Sequence, residues 1–190
     1  MRAPLALVAV AFVAALAGCT SLSGAPPASA PAANAVARST EPGGRFITLV
    51  GPRRPTGDPF LGVPGTNFSA LRSSIDTQNG ESVHQLYVED SYFGAEYNWE
   101  AARDGQGQKL RFIAISKNEI TCDNGCSYAE EFAAGLPEGL LRANPQSLAI
   151  SFTARSGARQ TILVPGDLIQ KQLAALDAAR ASLPVAAPPR

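Results

Sequence analysis

The 190-residue sequence carries 16 basic and 16 acidic side chains and is 45% hydrophobic, which suits one domain plus tails. Charges of both signs are interspersed and cancel. There is neither the basic stripe that nucleic-acid binding requires nor an acidic tail, so no nucleic-acid partner is expected.

Met1 and Arg2 are followed by an apolar run over residues 5–16, then Leu16-Ala17-Gly18-Cys19. One charge ahead of about twelve apolar residues is the pattern of a signal-peptide h-region, too short for a permanent membrane span. Leu16-Ala17-Gly18-Cys19 resembles the lipobox of bacterial lipoproteins. The resemblance implies cleavage before Cys19, whose sulfur takes up a diacylglyceryl group. Two or three acyl chains, at about 0.8 kcal/mol per buried CH₂, would then hold the protein to a membrane. In the lipoproteins of Gram-negative bacteria that it resembles, an aspartate after the cysteine favours the inner membrane. Thr20 at that position implies sorting to the outer membrane, with the domain facing the periplasm. Without Arg2 the mature chain would carry 15 basic against 16 acidic side chains.

Residues 19–43 form the anchor and a tether. Gly24-Ala25-Pro26-Pro27-Ala28-Ser29-Ala30-Pro31 typifies a composition too poor in apolar surface to offset its ordering entropy. Residues 44–183 are expected to form the globular domain, and residues 184–190 a frayed tail.

Period-two patterning dominates the domain. Residues 46–50, 84–88, 97–103 and 109–122 read as strands, and Asp104-Gly105-Gln106-Gly107 as the turn between the last two. Residues 51–65, with four prolines and four glycines, read as a surface loop. In 147–155, Leu148, Ile150, Phe152 and Ala154 alternate with polar residues, predicting one buried and one wet face. Ser156-Gly157-Ala158 turns the chain into a returning strand at 160–164. Residues 137–142 suggest one helical turn, ended before Asn144-Pro145. Asp167 as N-cap, Gln170 at the capping-box position, and Leu168, Leu173, Leu176 and Leu183 near one face predict a C-terminal amphipathic helix. The expected fold class is α+β: a small antiparallel sheet of hairpins with that helix packed on it.

With Cys19 assigned to lipid, Cys122 and Cys126 remain. Asp123-Asn124-Gly125 suits a three-residue hairpin loop whose third residue is left-handed, setting the two cysteines opposite each other for a disulfide. A metal pair or a redox dithiol are the alternatives. The first lacks further ligands near the only histidine, His84, and the second normally uses two intervening residues at a helix start. The stretch Cys122, Gly125, Cys126, Tyr128 and Glu130 also resembles a Cys…Gly-Cys-x-Tyr-x-Glu pattern found in a group of exported proteins of Gram-negative bacteria. That resemblance implies no activity.

No nucleophile elbow, phosphate loop, zinc helix or calcium loop is present. His84 with Asp90 or Asp76 and a serine is the one conceivable catalytic set, although the residues beside His84 look like an ordinary exposed strand. Glu130 and Glu131 would face opposite sides of a strand, with Lys117 a natural cross-strand partner for Glu131. Tyr87, Tyr92, Phe93, Tyr97 and Trp99 either line a groove or fill the core. The sequence therefore points to a non-enzymatic envelope lipoprotein without cofactor or metal, binding an envelope protein or glycan or aiding assembly. The alternative is an enzyme or a metal or redox carrier using His84 or Cys122 and Cys126. A contiguous exposed aromatic patch would favour the first, and a pocket gathering His84 with a carboxylate and a hydroxyl the second.

Overall fold

The structure, a computed structural model, describes residues 34–40, 42–123 and 125–183. The lipobox with Cys19, the tether to residue 33 and the 184–190 tail lie outside the described residues. Ten antiparallel strands form one sheet: β1 (Ala37–Thr40), β2 (Phe46–Val50), β3 (Arg54–Pro55), β4 (Phe68–Asp76), β5 (Ser82–Phe93), β6 (Trp99–Asp104), β7 (Lys109–Thr121), β8 (Ser127–Leu136), β9 (Ser147–Ala154) and β10 (Arg159–Pro165). Their order is β1-β2-β4-β5-β8-β7-β6-β9-β10, with the short β3 beside β4. Two helices follow strands: α1 (Glu138–Ala143) and α2 (Gly166–Ala181). Ala37–Thr40, within the stretch read as tether, pairs with β2 as an outer strand.

The class is α+β, but the sheet is one continuous, strongly curled surface rather than a small set of hairpins. The bend lies at β6. This strand pairs along β9 from Trp99 to Asp104 but meets β7 only at its end, through Ala102↔Leu110 and Arg103↔Lys109. Asp104 sets the turn, its Oδ1 accepting from the N–H groups of Gln106 and Gln108 at 2.9 Å each. The β6–β9–β10 half thus folds over the inner face of β4, β5 and β8. Phe132 on β8 meets Trp99 at 5.2 Å and Phe152 at 5.0 Å between ring centroids. Large buried side chains of this kind each contribute roughly 1.5–3 kcal/mol.

Helix α2 closes the curl by touching both ends of the sheet. Leu168 and Ile169 join the core shared with β9 and β10. Leu176 and Ala179 pack on Ile47, Leu49 and Ile75 of β2 and β4. Between these patches the buried Gln172 donates Nε2 to Ser73 Oγ at 2.8 Å and to the Leu49 carbonyl at 3.3 Å.

The helix start differs from the sequence expectation. It begins at Gly166 directly after Pro165, with no side-chain cap, and Asp167 lies inside the first turn. A Cβ on Gly166 would come within 2.4 Å of the carbonyl oxygens of Pro145 and Gln146. The helix starts two residues earlier than an Asp167 cap implies, and Gln170 Nε2 bonds the Pro145 carbonyl instead of boxing the cap. No described helix is long and apolar enough to cross a membrane.

Candidate functional site

The curl leaves the other face of β1, β2, β4, β5, β8 and β7 turned outward. Strand register places six residues in one row across it: Ala37, Val50, Arg72, Gln85, Gly135 and Arg111. A neighbouring row holds Ser39, Thr48, Ser74 and Val83. Over the Arg72–Gln85–Gly135–Arg111 part of the first row and the Thr48–Ser74–Val83 part of the second lies a groove of about 690 Å³, in the size range of ligand sites. A smaller hollow of about 300 Å³ extends it over β2 and β1, sharing Thr48 and Ser74.

Gly135 makes the floor. With no side chain between Gln85 and Arg111, the backbone itself is exposed to whatever fills the groove. Aliphatic walls come from Val83, Leu110, Ile113 and Pro137, and cations from Arg72, Lys109 and Arg111. Among the described residues, none of these three cations forms an ion pair. Arg72 lies over the Tyr87 ring, its guanidinium carbon 3.4 Å from the centroid. Burial and Glu131 push the Tyr87 phenol above its ordinary range, keeping it neutral beneath that charge. The Nε of Arg72 is buried with no hydrogen-bond partner. Such an unmet donor is uneconomical for a residue serving stability alone.

At the groove's end, His84 is only 6% exposed, correcting the expectation of an ordinary exposed strand residue. Ser73 Oγ lies 2.8 Å from Nδ1 and Ser82 Oγ 2.8 Å from Nε2. Ser82 also accepts from Arg180 at 2.7 Å and faces Glu138 at 3.3 Å. One proton assignment satisfies every partner. Gln172 donates to Ser73, which donates to Nδ1; Nε2–H donates to Ser82, which donates to Glu138. The ring is then neutral, and burial does hold its pKa below the usual histidine value, against the pull of Glu138. Arg180 and Arg142 bind Glu138 at 2.7 and 2.8 Å, and its carboxyl is lowered to about 2, chiefly by the Arg180 hydrogen bond. Histidine, carboxylate and hydroxyl are therefore gathered, as the enzymatic alternative requires. Ser73, however, is 2% exposed, and Ser82 already has three partners. Asp76 and Asp90 stand apart from this set. Asp76 binds Arg45 and Asp90 binds the Trp99 indole.

Glu130 and Glu131 do point to opposite faces. Glu130, buried, accepts from the Tyr92 hydroxyl and from the N–H groups of Asn98 at 2.9 Å and Trp99 at 3.1 Å. It thereby fastens the β5–β6 connection, where Asn98 is left-handed, to β8. Lys117 pairs with Glu96 at 2.5 Å rather than Glu131; in the ladder it stands opposite Glu130, while Ser116 stands opposite Glu131. Directly across from Glu130, burial and the charges of Glu130 and Glu89 push Asp90 up to about 6, against the Trp99 hydrogen bond.

The aromatic run divides. Tyr92 and Trp99 fill the core, Tyr87 lies under Arg72, and the exposed Phe93 packs on Phe60. At the β7–β8 tip the ladder ends at Thr121↔Ser127, so the loop is five residues, not three. Cys122 and Cys126 face each other there, with their sulfurs 2.16 Å apart and Gly125 at φ 105°. No group of three or more His, Cys, Asp or Glu able to hold a metal occurs among the described residues.

The groove could not be found from sequence, because its residues come from five strands and meet only through register. Gly135 becomes a mark of close approach only once Ser127–Leu136 is known to be a strand. Comparison with protein-family models, with curated proteins and with solved structures gives no match to the chain.

Proposed function

We propose that the protein is a non-catalytic, lipid-anchored binding module of the bacterial envelope, whose outward groove over Gly135 receives its ligand. The observation that carries the reading is the row Arg72–Gln85–Gly135–Arg111. It sets cations without an ion-pair partner among the described residues on either side of a bare strand backbone, in a groove large enough for a ligand. The lipobox supports anchoring at Cys19, and Thr20 supports the outer membrane. The saturated bonding of His84 supports binding over catalysis. A photo-cross-linking residue at Val83, 67% exposed and in the groove wall, tests this in the native envelope against the same residue at Leu163, 63% exposed on β10. A discrete adduct from Val83 alone is expected. Equal yields from both positions, or none from Val83, would overturn the reading.

The second reading, a hydrolase with Ser82 as nucleophile and His84 as base, is favoured by their 2.8 Å contact. A fluorophosphonate probe separates the two. Labelling that disappears in Ser82→Ala would establish the hydrolase, and the binding reading expects no labelling.

A further inference from the structure

Resting on that groove reading, we infer that the ligand is an extended acidic peptide segment of a partner protein, laid across the strands with a carboxylate held between Arg72 and Arg111. Shape comes first. The row from Ala37 to Arg111 crosses six strands, and at about 4.8 Å per strand it is roughly 24 Å long. With the hollow over Thr48 and Ser74 continuing the groove, the site suits a chain molecule rather than a compact metabolite.

Charge narrows the choice. Arg72 on β4 and Lys109 and Arg111 on β7 flank Gln85 and Gly135, with no carboxylate partner among the described residues. The carboxylate that does line the groove, Glu138, is already neutralised by Arg180 and Arg142. The stack on Tyr87 fixes the Arg72 guanidinium before any ligand arrives, so little side-chain freedom is lost on binding. A planar guanidinium suits a carboxylate held through two N–H groups.

Wall chemistry selects a peptide over other anions. Val83, Ile113, Leu110 and Pro137 offer aliphatic contact to apolar side chains, while Gln85, Ser74 and Thr48 offer side-chain donors and acceptors to a peptide backbone. A glycan would seek an open aromatic platform, but Tyr87 is covered by Arg72. An acyl chain would seek enclosure, and this groove is open along its length.

The test uses the full chain, purified in detergent, to select from a displayed library of random twelve-residue peptides. Recovered peptides should carry Asp or Glu flanked by aliphatic residues. A fluorescein-labelled representative should bind at least about tenfold more weakly to Arg111→Ala and to Arg72→Gln, and unchanged to Lys171→Ala on α2. Arg111 is exposed, so its variant separates lost recognition from lost folding. Binding should also weaken in about 0.5 M salt. Recovery of peptides without acidic residues, equal binding by Arg111→Glu, or retention of hyaluronate or phosphatidylglycerol vesicles in place of peptides would overturn the inference. If Val83 still cross-links while no acidic peptide is retained, the peptide assignment fails alone. If Val83 yields no adduct, the groove reading fails with it.

Discussion

Gly135 and Arg111 are direct partners in the β8–β7 ladder, and a Cβ on Gly135 would lie 3.3 Å from the Cβ of Arg111. Space is therefore kept at the groove floor by the absence of a side chain. Gly135→Phe should raise a ring into the groove and abolish cross-linking from Val83. The crowding of Arg111 should cost about 1–2 kcal/mol of stability. A thermal melt and the cross-linking yield, measured on the same sample, check both halves.

His84→Ala should destabilise by about 2–3 kcal/mol, because it strands the buried Ser73 hydroxyl and opens space under α2. The pH dependence has a definite sign. The folded pKa is depressed, so the unfolded chain gains a proton as pH falls through about 6.5 while folded His84 stays neutral. Stability should therefore decline from that point downward, and this slope should be missing in His84→Gln. Glu138 acts in a lower window. Its stabilisation, present above about 4.3, fades as pH falls toward its folded value of about 2. Urea unfolding at a series of pH values separates the two.

Asp90→Asn should stabilise the protein at pH 8, by on the order of 2 kcal/mol. The folded carboxyl, at about 6, must ionise in a partly buried site facing Glu130. The amide keeps an oxygen for the Trp99 indole and carries no charge. Below about pH 4 wild-type Asp90 is itself protonated, and the difference between the two proteins should vanish. A gain that persisted at pH 3.5 would show that charge is not its cause.

Two glycines in helices should respond in opposite directions. Gly166→Ala drives a methyl into the carbonyls of Pro145 and Gln146 and should cost more than about 2 kcal/mol. Gly139→Ala on α1 meets nothing within 4 Å and should stabilise by about 0.5–1 kcal/mol. Paired calorimetric melts decide this.

Cys122 and Cys126 should resist alkylation in protein taken from the envelope without reductant. Replacing both by serine should cost no more than about 2 kcal/mol, because so short a loop restricts the unfolded chain little. The intact mass should place diacylglycerol on Cys19. A mature protein that begins elsewhere and is unmodified would remove the anchor from the account.

Strands whose inward positions are uniformly apolar were legible in the sequence. Phe46–Val50 and Ser147–Ala154 announce themselves through Ile47 and Leu49, and through Leu148, Ile150 and Phe152. Phe68–Asp76 was not read as a strand, because Ser73 stands between Leu71 and Ile75 on its inward side to meet Gln172 and His84. Ser127–Leu136 escaped for a related reason. Glu130 is buried on its inner face, and Ala133 is buried on the outer. In each case a polar group satisfied by a distant partner, or burial on both faces, erases the alternation that marks a strand. The candidate site was less legible still, since Arg72 and Arg111 become neighbours only through three intervening ladders.

Helix α2 ties the first strands to the last. The Gln172 side chain bonds Leu49 and Ser73 across 123 and 99 residues of chain. Contacts of such span must overcome loop-closure entropy before they stabilise anything, and they make folding slow. They also fix an order of events. While a growing chain lacks residues 166–181, Ile47, Leu49 and Ile75 have no cover, and β2 and β4 present an oily face to any other unfinished copy. The protein is therefore most prone to aggregation in the interval before α2 docks.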